Sequence, residues 1–488
     1  MSNLEWLKSE QLIGIVVGRP QRKNAWLQRL WLVFLFIGGL YLWGQLLNFG
    51  RGPLNFHDWA AISGPRLAVL RAAILNGELP LHSITPVIED GVTLRFLAIP
   101  DQILSPQITL LPWLDIGRFI LLQFWLMYAL GFWALLQLRR RFMLSLLAFS
   151  ILFALFNFNG HILSHASVGH ANWGGYFLYP VFALLIFDLL DGKANWRWVA
   201  KVVFLSLFIF LQGSYHHFIW LLFFLGLLAL TVPRRFWWLA AAAVFAVLVS
   251  MVRILPATLL LGDFKYTYVA GYPLVLSIWQ YMTQLQTPYD YTISFGLTNS
   301  IGTWEYTFFV GILGALFILY FGVVRPMLSR DGSDIFRLLL LPCLGLTILS
   351  MDKVYSILRE VLPLPLFTGE RVPARIFSLA FVFILIGAAV HFQRWLESKR
   401  LSLAGVGAML GLVVLGANDL QRNLFMWSVL NIANYYPAEY FFPVRYYPAN
   451  QFGDTQYLIF LSVGLIISLV SALGLLYLAW REWRMASR

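Results

Sequence analysis

Cysteine is almost missing from this chain. Of 488 residues only Cys343 carries a thiol, so disulfides, zinc ribbons and dithiol chemistry are excluded. Charge is scarce too: Asp, Glu, Lys and Arg make up 12% of the residues against 60% hydrophobic ones. A mean hydropathy of +0.73 is far more apolar than a soluble globular composition. No Asn-x-Ser/Thr sequon occurs, and no stretch is Ser- or Gly-rich enough for a flexible linker. Nothing reads as a soluble domain. The first apolar run follows 26 polar and mixed residues without a small-residue cleavage site, so the expectation there is an anchor and not a removed signal.

What the chain does have is apolar runs of bilayer-crossing length. Twelve are read, at 27–47, 116–138, 142–158, 173–190, 198–212, 215–231, 236–257, 304–324, 335–350, 375–393, 401–417 and 456–480. Three are short, which brackets the count at 10–13. Only helices or closed barrels satisfy every backbone polar group in lipid. The expected fold is therefore an all-α polytopic membrane protein of about 12 transmembrane helices.

Charge orients it. Arg139-Arg140-Arg141, Lys193/Arg197/Lys201, Arg234-Arg235, Arg325/Arg330/Arg337, Arg394/Lys399/Arg400, Arg481/Arg484/Arg488 and the basic residues of the N-terminal tail fall on one side. That side holds 22 of the 35 Lys and Arg but 8 of the 23 acids, leaving +14 there and −2 opposite. The positive-inside rule makes it cytoplasmic, together with both termini. The net charge of +12 follows from topology and does not argue for nucleic acid. The expected organisation is a cytoplasmic tail over 1–26, a transmembrane core over 27–393 with outer loops 48–115, 258–303 and 351–374, and C-terminal helices over 394–488 with outer loop 418–455.

Function is expected at the outer face. Seven of the eight histidines fall in or beside outer loops: His57, His82, His161, His165, His170, His216 and His217. Tyr266, Tyr268, Tyr272, Tyr281, Tyr289, Tyr291, Tyr435, Tyr436, Tyr440, Tyr446 and Tyr447 lie on the same side. An interfacial aromatic belt explains part of this; an excess on one side points to a wet outer pocket.

Four constellations there can carry chemistry. Asp58, in Asn55-Phe-His-Asp-Trp59, precedes a helical pattern over Ala60 to Leu75 that suits a helix lying in the membrane interface. Desolvation at that depth would raise its pKa toward that of a useful base; the alternative is a plain N-cap. Arg371 and Arg375, one turn apart around Pro373, suit a phosphate, or else an ion pair with Glu370. His161 and His165, at i and i+4, are weak metal-ligand candidates; hydrogen bonding to sugar hydroxyls or phosphate and plain interfacial packing stand as the alternatives. Glu305 opens the eighth run, either as a second carboxylate facing the cavity or as a first-turn acid favoured by the helix dipole.

Together, Asn55 to Asp58 with Asn76-Gly-Glu-Leu-Pro-Leu81, Ser167 to Pro180, Gly302 to Gly311 and Arg371 to Arg375 resemble the GT-C type membrane glycosyltransferases, in particular the YfhO-like bacterial membrane proteins. The resemblance implies a GT-C-like bundle that takes a sugar from a polyprenyl-phosphate carrier and passes it to an acceptor hydroxyl with inversion. It implies Asp58 as general base and Arg371 and Arg375 as holders of the lipid phosphate. His57, His170, His216, His217 and Glu305 would line the substrate pocket. It departs in one place: many members carry an acidic pair where His57 stands beside Asp58, which leaves open a divalent-cation-dependent or inactive variant. The implied partners are the lipid bilayer, the polyprenyl-phosphate sugar and an acceptor that is a glycan, lipid or protein. The implied setting is a bacterial inner membrane with the active face periplasmic. Two other classes stand beside this: a catalytically inactive scaffold subunit of a membrane complex, and a lipid-saccharide transporter.

Overall fold

The computed structural model describes residues 14–20, 25–84, 95–99, 101–260, 268–288, 291–292, 301–329, 334–363, 365–399, 401–434, 447–448, 450 and 452–486. Tyr266, Tyr289, Tyr435, Tyr436, Tyr440, Tyr446, Arg330, Arg400 and Arg488 fall outside them. Among the described residues the architecture is all-α, with two-residue β-ladders pairing outer segments: Ser83–Ile84 with Tyr447–Pro448, and Tyr291–Thr292 with Ile301–Gly302.

Each of the twelve apolar runs coincides with a helix. Among the described residues, 8 of these helices are long and apolar enough to cross a membrane, or 9 if a bent pair counts as one span. Tyr215–Thr231 and Ile335–Leu349 are shorter apolar helices. The arrangement fits a multi-pass membrane protein with fewer full-length spans than the apolar runs alone suggest. The run at 236–257 is not straight: its two helices, Pro233–Val249 and Met251–Leu260, meet at 66°. Just past the bend, buried Arg253 donates to the carbonyls of Leu97 (2.6 Å), Ile99 and Asp101 (3.1 Å). A guanidinium in an apolar run needs such acceptors, and the outer loop supplies them.

Pro373–Glu397 forms the centre, with 94% of its span window buried, flanked by Leu146–Val168 (83%) and Ala171–Leu190 (78%). Ala25–Leu46 (11%), Leu403–Met426 (11%) and Thr455–Ala486 (17%) lie at the periphery. Their apolar side chains face outward, as a lipid environment permits. Helix starts carry short polar caps. Asp115 accepts from Arg118 N (2.9 Å), Asn195 from Trp198 N (2.8 Å) and Ser402 from Gly405 N (3.1 Å).

The helix expected in the membrane interface forms as a π-helical turn, Trp59–Ser63, leading into Gly64–Leu75. Much of its apolar face packs on the protein, with Leu67 and Leu70 2% and 3% exposed, while Ile62 stays open at 36%. Arg66 lies 3.7 Å from Asp101, so the segment at Asp101 packs back against this helix.

Candidate functional site

Asp58 sits where two distant segments meet backbone to backbone. Val168 ends the Gly160–Val168 helix, and Gly169 follows at φ +107°, a left-handed turn that glycine adopts without strain. A Cβ on Gly169 would lie 2.3 Å from Trp59 N and 2.6 Å from Asp58 C. That close approach is stitched on both sides. His57 Nδ1 is 3.1 Å from Val168 O, Trp59 Nε1 donates to Ser167 O (2.8 Å), and Ser63 Oγ donates to Gly169 O (2.6 Å). The turn delivers His170, whose Nε2 lies 2.8 Å from Asp58 Oδ2, while His57 Nδ1 lies 3.4 Å from Oδ1. Asp58 occupies the N-cap position but makes no capping hydrogen bond. Its carboxylate faces the histidines.

The charge state follows from that geometry. Burial pushes the Asp58 carboxyl up, but the hydrogen bond from His170 and the charge that this imidazole carries once protonated in acid, helped by His57 and Arg371, outweigh it and hold the pKa down at about 2. The expectation of a raised pKa is reversed, because the donors that desolvate this carboxylate also stabilise its charged form. His170 is pulled the other way: burial lowers its pKa, and Asp58 and Glu305 compensate only in part. A neutral imidazole donating Nε2–H to an ionised carboxylate is the resulting state near neutral pH.

Behind His170 the polar cluster continues inward. His170 Nδ1 is 2.5 Å from His165 Nδ1, so a single proton lies between the two rings. His165 Nε2 is 3.9 Å from Glu305 Oε2. Arg375 forks Glu305, with Nε donating to Oε2 (2.5 Å) and Nη2 to Oε1. The guanidinium carbon sits 4.9 Å over the Trp173 ring. Glu370 faces His216 Nδ1 at 2.8 Å and accepts from Val372 N at 3.0 Å. Burial raises the pKa of both glutamates, yet Arg375 (with His170 and Arg371) brings Glu305 below its usual value, and His216 (with Arg375) does so for Glu370.

Asp58, His57, His170, Glu305, Arg375 and His216 thus belong to one continuous cluster, with Arg371 near enough to act on both Asp58 and Glu305. The carboxylate partner of Arg375 is Glu305, where the sequence pointed to Glu370. The fork that would grip a phosphate is therefore occupied, because a buried guanidinium requires a counter-charge. His217 is drawn into aromatic packing: its ring centroid is 5.1 Å from that of Trp173, and neither of its nitrogens has a hydrogen-bond partner among the described residues.

His161 and His165 do share a helical face, with ring centroids 4.5 Å apart. Their nitrogens diverge, since His161 Nε2 accepts from Trp173 Nε1 (3.2 Å) and His165 Nδ1 meets His170. No group of three or more potential ligands able to hold a metal occurs among the described residues. Sequence reasoning missed three structural parts: Gly169 as the close-approach glycine, Trp173 as the platform under Arg375, and Trp304, whose ring packs edge-on to His57 at 4.7 Å. The Gly-His pair at 169–170 was the one available signal for the first. No protein-family model matches this chain, and no curated protein and no solved structure matches it.

Proposed function

We propose that this chain is a membrane glycosyltransferase that moves a sugar from a polyprenyl-phosphate carrier to an acceptor hydroxyl with inversion. The reaction would lie at the face opposite the basic loops. The setting proposed with it is a bacterial inner membrane, with both termini cytoplasmic and up to twelve spans, the short helices included. The observation that carries this reading is the buried Asp58 carboxylate, held by His170 at 2.8 Å and within the electrostatic reach of Arg371. A base and a phosphate-binding cation must flank the anomeric carbon in any such transfer.

The acceptor oxygen attacks that carbon and its proton passes to Asp58. The bond from the carbon to the phosphate oxygen breaks, and the phosphate leaves with the electron pair against Arg371. A carboxylate with a pKa of about 2 is a weak base at rest. In this route the acceptor hydroxyl takes over the hydrogen bond given by His170, and proton transfer proceeds as the new bond forms. Arg375, paired with Glu305, positions the cluster and leaves the phosphate to Arg371.

A second reading is favoured by the closure of the charges on one another: Asp58 with His170, Glu305 with Arg375, and Glu370 with His216. Such self-satisfied pairs also suit a non-catalytic scaffold. The two are separated by sugar release from a radiolabelled panel of polyprenyl-phosphate sugars in proteoliposomes. Release by the wild type that disappears in Asp58→Asn, with carrier binding retained, supports the transferase. Neither release nor carrier binding in the wild type supports the scaffold.

A further inference from the structure

Away from the Asp58 cluster, four helices enclose an apolar groove of about 510 Å³. Its walls come from Leu146–Asn157, the span Gly311–Leu328, Phe377–Glu397 and Leu403–Met426, with Ile151, Phe317, Phe392 and Val413 among the lining residues. The exposed Leu316 and Leu412 border it, so it faces the lipid side of the bundle. Only two lining side chains carry a polar atom able to meet a headgroup, the Tyr320 hydroxyl and the Trp395 indole N–H. Both lie toward the end where the basic loops gather.

At that end Tyr320 also lines a second cavity of about 420 Å³, shared with Arg325, Ser329, His391, Arg394 and Ser398. The neighbouring carboxylate, Asp334, is engaged by His391 (2.8 Å) and Arg394 (3.2 Å). Arg325 forms no salt bridge among the described residues. A half-buried arginine at a lipid-facing cavity, with no carboxylate partner among the described residues, suits an anion. The groove's depth fits as well. Met409 and Leu420 bound it on one helix, a rise of roughly 16 Å at ~1.5 Å per residue, close to one leaflet of a ~30 Å hydrocarbon core.

We infer that this groove binds one anionic phospholipid from the leaflet on the basic-loop side, with an acyl chain against Phe317 and Gly416 and the phosphate at Arg325 and Arg394. Basic pockets between helices at this level recognise lipid headgroups by charge. The opposite end of the groove, at Leu155, Val310 and Leu420, offers no side-chain donor. A carrier lipid held by its phosphate at the Asp58 cluster would therefore find no polar anchor here, and the lipid site stands independently of the transfer chemistry.

The test is a native mass-spectrometry titration of the delipidated full-length protein with phosphatidylglycerol and with phosphatidylcholine of the same chains. One phosphatidylglycerol is expected to bind about tenfold more tightly than phosphatidylcholine. Arg325→Gln is expected to cut that preference by about fivefold or more. Gly416→Leu, whose new side chain meets no atom within 4 Å at its Cβ and enters the groove, should weaken retention of both lipids. Equal affinity of the wild type for the two headgroups overturns the inference without recourse to any variant. So does an unchanged preference in a folded Arg325→Gln protein, or competition by chain-free glycerophosphate at the same concentration as the lipid, which would assign a free-phosphate site.

Discussion

His170 Nε2 lies 2.8 Å from Asp58 Oδ2, and the turn that brings it there is built around a glycine that touches the Asp58 backbone. The imidazole therefore acts on the carboxylate twice: it fixes where the oxygen points, and it decides the charge that the oxygen carries at a given pH.

Asp58 contributes acid-labile stability. Its folded pKa of about 2 lies below the ordinary aspartate value of 3.8, so the contribution is present above pH 4 and is lost as pH falls through the folded value. The shift corresponds to about 2 kcal/mol. Thermal unfolding of detergent-solubilised protein between pH 5 and pH 2 is expected to show this loss in the wild type and a flatter profile in Asp58→Asn.

Removing the imidazole leaves burial unopposed by its strongest antagonist. In His170→Ala the Asp58 pKa is expected to rise, and the acid limb of any activity profile should move to higher pH. His170→Gln, which keeps a donor near the carboxylate, should restore part of the wild-type profile. Activity that simply falls by the same factor at every pH would assign His170 to packing alone.

Gly169→Ala sets a methyl group 2.3 Å from Trp59 N at φ +107°. A cost of about 3 kcal/mol or more is expected from strain and the clash together, visible as a lowered melting temperature. Gly411→Ala is the matched control, since its Cβ meets nothing within 4 Å. In the middle of a helix that change should be neutral or stabilise by about 0.5–1 kcal/mol.

Glu305 and Arg375 form a buried ion pair, so either single neutralisation leaves a buried charge without its forked partner. Glu305→Gln and Arg375→Met should each destabilise by about 3–5 kcal/mol, and the double variant should recover much of the loss. A double-mutant cycle on unfolding reads this directly. Two additive losses would mean that the pair is not coupled.

Much of the scaffold was legible because apolar length and basic loops act locally. A bilayer-long apolar run becomes a helix whatever its neighbours do, and all twelve runs did so. Candidate residues such as Asp58, His170 and Glu305 were also visible, since polar groups stand out in so apolar a chain. Their states were not. The direction of the Asp58 pKa shift depends on His170, and the fate of Arg375 depends on Glu305, which lies far from it in the sequence.

The sequence by itself determined that this is a helical, multi-pass chain with polar chemistry confined to a few places, because hydropathy and backbone hydrogen bonding in lipid leave no other solution. Tertiary structure alone decided that the helix after Asp58 turns much of its apolar face into the protein, that the run holding Arg253 bends, and that Arg375 closes on Glu305. Each outcome depends on which distant group comes within a few ångströms of another, and electrostatic energies vary too steeply with distance and burial for a one-dimensional pattern to carry them.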